Sequence, residues 1–137
     1  MYVMDTNVIS EIRKPRPHGA VLAWLESVPN ESLYLSAVSL AELQAGVELT
    51  RERDLEKAAE IEAWIETLPE TYRVLALDGP SFRLWARLMH RKPTQIYVDA
   101  MIAATAIVHG FVVATRNVHD FQPFGVPILN PFEPPLR

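Results

Sequence analysis

The stretch Tyr97-Val98-Asp99-Ala100-Met101-Ile102-Ala103-Ala104-Thr105-Ala106-Ile107-Val108-His109-Gly110-Phe111-Val112-Val113-Ala114-Thr115 changes its hydrophobic period once, and that change decides the fold class. From Tyr97 to His109 a face of small residues, Ala100, Ala103, Ala104 and Ala106, returns at helical spacing, and Gly110 stands where a helix C-cap belongs. Phe111 to Thr115 then runs apolar with no polar alternate, the pattern of a strand covered on both faces. A helix feeding directly into such a strand is the building unit of a parallel sheet.

The same alternation continues outward. Tyr2 to Met4 reads as a buried first strand ending at Asp5, and Thr6-Asn7 opens a helix whose apolar face is Val8, Ile9 and Ile12. Arg13-Lys14-Pro15-Arg16-Pro17 stops it, because two ring-locked residues cannot extend a helix. Ala20 to Val28 is an amphipathic helix closed by Pro29-Asn30, and Leu33 to Ser36 is the second strand. Ser36 and Ser39 are helix starters, and Val38 to Leu49 turns Leu40, Leu43 and Val47 inward. Arg51 to Leu68 carries Leu55, Ile61, Trp64, Ile65 and Leu68 on one side, so the two segments form a helical hairpin. Arg73 to Leu77 is a third strand, stopped by Asp78-Gly79-Pro80, and Phe82 to Arg91 a further helix broken at Lys92-Pro93. A helical turn from Asn117 to Phe121 leads to a last extended run, Val126 to Leu129, and to a Pro-rich tail expected to stay unordered unless it docks. The expected architecture is a three-layer α/β/α sandwich around a small, mostly parallel sheet of about five strands, one domain over residues 1–137.

Composition removes several function classes. With 49% hydrophobic and 22% charged residues the chain is too apolar for disorder, and with no cysteine it has no disulfide, thiolate metal site or Cys nucleophile. No apolar run approaches the roughly 20 residues that span a bilayer, and the N-terminus lacks a signal-peptide pattern, so a cytoplasmic protein without membrane association is expected. The net charge of −4 argues against a general nucleic-acid coat. It leaves a nuclease open, because a carboxylate site carries its own negative charge.

Ligands of open parallel sheets bind at the carboxyl ends of the strands. Four acidic residues fall there: Asp5 ends the first strand, Glu42 lies one turn into the helix after the second, Asp99 opens the Ala-rich helix, and Asp120 follows the Thr115 end of the strongest strand. Each alone has a capping explanation: Asp5 as an N-cap, Ser39-Leu40-Ala41-Glu42 as a capping box, Asp99 as a dipole partner, Asp120 in a cap-like Asn117-Val118-His119-Asp120. Together they would repel one another unless protons or cations relieve the charge. An oxygen-only cluster selects a hard cation, Mg²⁺ or Mn²⁺, and such ions serve phosphodiester hydrolysis.

Asp5-Thr6-Asn7, Ser39-Leu40-Ala41-Glu42-Leu43, Asp99-Ala100-Met101-Ile102-Ala103-Ala104-Thr105-Ala106 and Thr115-Arg116-Asn117-Val118-His119-Asp120-Phe121 stand in the order of a PIN domain, and nearly the whole chain resembles a VapC-type toxin. The resemblance implies an endoribonuclease with Asp5, Glu42 and Asp99 as its core acidic set, Asp120 as a more variable fourth, and a polar helper at Thr115 or Asn117. It also implies RNA as substrate, a cognate antitoxin, and a homodimer formed through helices flanking the Glu42 hairpin. A catalytically weak RNA-binding module of the same fold is the alternative.

Other features carry structural readings. Asp78 suits a turn and cap, and His18, His90, His109 and His119 show no paired metal spacing. Arg83, Arg87 and Arg91 recur every four residues on one helix face, either solvated or against RNA backbone, and Arg13, Lys14 and Arg16 form a second basic cluster near Asp5. Trp24, Trp64 and Trp85 occupy apolar helical positions of a core or subunit interface. An Asp-nucleophile phosphatase or a receiver domain is excluded, since Asn7 stands where the second acid is required and no suitable late Lys follows a strand.

Overall fold

The structure, a computed structural model of the chain, describes residues 1–134. Strands β1 (Tyr2–Met4), β2 (Leu33–Ser36), β3 (Arg73–Leu75), β4 (Val112–Ala114) and β5 (Ile128–Leu129) form one sheet in the order β3-β2-β1-β4-β5. Every neighbouring pair is parallel. Helices α1 (Thr6–Arg13), α2 (Gly19–Ser27), α3 (Ala37–Arg51), α4 (Leu55–Thr71), α5 (Gly79–Leu88), α6 (Tyr97–His109) and α7 (Val118–Phe121) connect them. This is the expected three-layer α/β/α sandwich.

The two faces can be read from alternate residues of the central strands. Val3 and Val113 point into one core with Ala100, Ala103, Ala106 and Phe121. Met4 and Ala114, one residue on, point into the other with Val8, Ile9, Val21 and Leu68. Because side chains alternate across a strand, the apolar runs must be covered on both sides, which is why the sequence shows no polar alternate. The alanine face of α6 lets that helix lie close on β1 and β4, and Ala100, Ala103, Ala104 and Ala106 are all fully buried.

Gly110 ends α6 in the left-handed region at φ 72°. Its N–H donates to the Ile107 carbonyl at 3.1 Å, and the Phe111 N–H to the Ala106 carbonyl at 2.9 Å, a Schellman cap that turns the chain straight into β4.

Several boundaries differ from the sequence reading, each for a local reason. Helix α3 is capped by Ser36, whose Oγ accepts the Val38 N–H at 3.2 Å, so buried Ser39 lies inside the helix and Ser39–Glu42 is not a capping box. Helix α4 passes through Pro69 to Thr71: the proline removes its own donor, and the last turn still closes with the Tyr72 N–H donating to the Leu68 carbonyl at 2.9 Å. Leu55 is 70% exposed at the start of α4, not inward. Strand β3 stops at Leu75, and α5 starts at Gly79, since Asp78 Oδ1 accepts the Ser81 N–H at 3.0 Å and Pro80 sits in the first turn. With α5 ending at Leu88, Arg91 lies beyond the helix at φ 59°, so the Arg83–Arg87–Arg91 face does not exist as a helical stripe.

The tail docks through Phe132, which is 8% exposed in the Met4–Val8 core; Pro135, Leu136 and Arg137 lie outside the described residues. Among the described residues no helix is long and apolar enough to cross a membrane.

Candidate active site

The strand order reverses direction at β1 and β4: the chain leaves β1 into α1 on one face and leaves β4 toward α7, which packs with α6 on the other. A crevice opens at such a switch point, beyond the carboxyl ends of the two strands. Asp5 and Thr115 are the first residues past those ends.

Asp5 is 4% exposed and caps α1. Its Oδ1 accepts the Thr6 N–H at 2.7 Å, and its Oδ2 accepts Thr115 Oγ1 at 2.8 Å and Asn7 Nδ2 at 3.2 Å. The capping explanation is therefore correct for Asp5, and incomplete. Burial pushes its pKa up, the hydrogen bonds from Thr115 and Thr6 oppose that, and the negative charges of Glu42 and Asp120 add to the rise.

Glu42 reaches the same crevice from α3. Thr6 Oγ1 donates to Glu42 Oε1 at 2.6 Å. A hydroxyl has one proton to give, so the 3.0 Å contact between Thr6 Oγ1 and Ser39 Oγ takes its proton from the serine. Glu42 thus serves no cap.

Asp99 stands in the first turn of α6, whose N-terminus has no side-chain cap. Its pKa is raised to about 6, first by burial and then by the charges of Asp5, Asp120 and Glu42. Asp120 lies on α7 and is exposed; the N-terminus of α7 also lacks a side-chain cap bond. The four acidic residues singled out in the sequence share one electrostatic environment, and among the described residues none of them forms an ion pair. As the side chains stand, no three Asp, Glu or His groups among the described residues are gathered closely enough to enclose one ion.

Thr115 is fully buried and acts as a hub: besides bonding Asp5, its Oγ1 accepts the Asn117 N–H at 2.9 Å and Asn7 Nδ2 at 3.4 Å. Asn117 takes part through its backbone, not its amide side chain. Asn7 completes the frame, its Oδ1 accepting the Arg116 N–H at 3.3 Å. Sequence reasoning did not place Thr6, Asn7 or Ser39 in the site. The available signal was their polar character in the first turns of α1 and α3, next to Asp5 and Glu42.

Several other candidates make local structural contacts. Arg13 lies 5.9 Å from the Trp64 ring centroid, Lys14 pairs with Glu11 at 2.8 Å, and His18 caps α2 by accepting the Ala20 N–H at 3.2 Å. Trp24 and Trp85 pack edge-on against Tyr2 and Tyr97 at 5.2 and 5.3 Å between ring centroids.

Comparison with known proteins agrees with this geometry. The PIN domain family profile matches residues 2–122. The chain is 42% identical to VapC ribonuclease Y4jK of Sinorhizobium fredii over 98% of its own length and 99% of that protein's. It is 36% identical to Toxin FitB of Neisseria gonorrhoeae, covering 96% and 99% of the two chains. The crystal structure of FitAcB from the same organism superposes with a TM-score of 0.84 at 36% identity, over 96% of this chain and 99% of that one.

Proposed function

Since the chain belongs to the PIN-domain family, we propose that it is an endoribonuclease dependent on a divalent cation, Mg²⁺ or Mn²⁺, held by Asp5, Glu42, Asp99 and Asp120. The observation that carries this reading is Asp99: burial first, and then the negative charges of Asp5, Asp120 and Glu42, raise its pKa to about 6. A fold retains such repulsion where a cation relieves it. The donors are all oxygens, which suits a hard ion and no soft one.

When bound, the ion supplies Lewis acidity toward water and positive charge for the phosphate oxygens. The chain's own contribution is orientation. Thr115 and Asn7 fix Asp5 Oδ2, and the Thr6 N–H fixes Oδ1, so that carboxylate presents one geometry. Thr6 holds Glu42 by Oε1. Asp120, exposed on the rim, is the group available to orient an attacking water or take its proton.

The substrate is RNA, and the protein is the toxin of a toxin-antitoxin pair acting in the cytoplasm. Its partner is an antitoxin whose tail occupies the groove of about 450 Å³ between α1 and the α3–α4 hairpin, lined by Ser10, Arg13, Leu43 and Trp64 and ending at Thr6 and Glu42. A basic side chain of that tail offsets the carboxylate charge in place of the ion. The chain forms a homodimer, a reading supported by Leu49 and Leu55, 63% and 70% exposed beside the hairpin turn.

The test is incubation of metal-stripped protein with structured RNA and with single-stranded DNA, with and without Mn²⁺. RNA cleavage that requires Mn²⁺ supports the proposal. RNA binding without cleavage would show a binding module instead.

A further inference from the structure

Arg116 occupies a position that the carboxylate network leaves unexplained. It lies between buried Thr115, which holds Asp5, and Asn117, and its backbone N–H is tied to Asn7 Oδ1. Its Cα is therefore fixed relative to the site. Its side chain is exposed, and among the described residues it forms no ion pair.

Phe132 faces the guanidinium, and the Glu11 carboxylate lies within reach of its charge. Arg116 Cζ lies 4.5 Å from the Phe132 ring centroid, and the His18 ring approaches the same phenyl edge-on at 5.6 Å. Phe132 is itself held, 8% exposed, in the core with Met4 and Val8. Stacking uses the flat face of a guanidinium and leaves its N–H edges open, the edges that match two phosphate oxygens at once. Lys14 and the N-terminus of α2 stand nearby around Glu11, which accepts Lys14 Nζ at 2.8 Å and the His18 N–H at 2.9 Å. Four carboxylates repel a polyanion, so a strand reaching them needs fixed positive charge at the rim.

Resting on the endoribonuclease reading, we infer that Arg116 is an RNA-binding residue that grips a backbone phosphate beside the one cleaved, and that Phe132 is the positioning residue that presents its guanidinium. The tail is thus part of the substrate surface.

The experiment measures binding of a mixed-sequence single-stranded oligoribonucleotide by fluorescence anisotropy in EDTA over a KCl series, with melting curves for each variant. Arg116→Ala weakens binding on the order of tenfold, as loss of one charge-assisted contact does. It also makes the slope of log affinity against log salt shallower by about 0.7, the value for one phosphate contact on a single strand. Arg116→Lys keeps most of the slope. Phe132→Leu, apolar without a π face, reproduces part of the Arg116→Ala loss, whereas Phe132→Tyr restores wild-type binding. An unchanged slope in Arg116→Ala, whatever its melting temperature, overturns the inference while wild-type cleavage with Mn²⁺ leaves the enzyme reading standing. Wild-type protein that neither cleaves nor binds RNA overturns both.

Discussion

Thr115 Oγ1 donates to Asp5 Oδ2 at 2.8 Å, joining the ends of two adjacent parallel strands whose residues lie 110 positions apart in the chain. Both residues are buried, so the bond is shielded from water and sets where one carboxylate of the site points. Replacing the hydroxyl with a methyl in Thr115→Val keeps the volume and removes the donor. Stability should fall by about 1.5–3 kcal/mol, the range for a hydrogen bond to a charged group. Cleavage should fall at least tenfold while the circular dichroism spectrum stays native. Equal activity in the two proteins would show that Asp5 needs no such support.

Asp99→Asn should separate stability from activity. A carboxylate whose folded-state pKa is raised to about 6 takes up its proton in the folded state before the unfolded state does. Metal-free wild type therefore gains stability from Asp99 as the pH falls from about 6 toward the ordinary carboxylate range, and lacks it above. Asparagine removes the repulsion at every pH. Chemical denaturation should show Asp99→Asn more stable than wild type at neutral pH, with the difference shrinking below about pH 6, and RNA cleavage reduced by orders of magnitude. A variant less stable than wild type at neutral pH would contradict the repulsion.

Asp120→Asn should be milder, because Asp120 sits exposed on the rim and an amide oxygen still orients water. Its turnover should drop less than that of Asp99→Asn under identical Mn²⁺. Complete inactivity would show that Asp120 contributes as much to the ion site as Asp99 does.

The fold makes its own prediction at Gly110. A Cβ built there meets nothing within 4 Å, so Gly110→Ala costs only the left-handed backbone at φ 72°. That is about 1–2 kcal/mol. Denaturation should find that loss with activity intact, and a neutral substitution would mean that the Schellman cap is dispensable.

The sheet and the position of the candidate site were legible because strand ends carry them. Unbroken apolar runs at Tyr2–Met4 and Phe111–Thr115 require cover on both faces, and Asp5 marks the exact residue where one of them stops. Glu42 was found with a competing cap explanation that only geometry removed, since the bond from Thr6 crosses from α1 to α3. Asn7 and Thr6 were quoted in the motif around Asp5, yet their partners lie 108 and 36 positions away, beyond the reach of any local pattern. Whether the tail docks was not legible for a related reason. Its prolines suggest an undocked chain, while Phe132 finds its pocket only once α1, α2 and β4 are assembled. Arg91 shows the limit of periodicity, because α5 ends at Leu88 and the chain turns at Arg91 into the left-handed region at φ 59°, which leaves the third arginine outside the helix.

The central claim is that Asp5, Glu42, Asp99 and Asp120 together hold a divalent cation, and calorimetric titration of Mn²⁺ into metal-stripped protein near pH 6, repeated in buffers of different ionisation enthalpy, tests it most directly. An Asp99 pKa of about 6 leaves that group half protonated, so binding should release about half a proton from it. Asp99→Asn should lose both the affinity and the Asp99 share of the proton release. Mn²⁺ binding of equal affinity in wild type and Asp99→Asn, with no buffer dependence in either, would contradict the account.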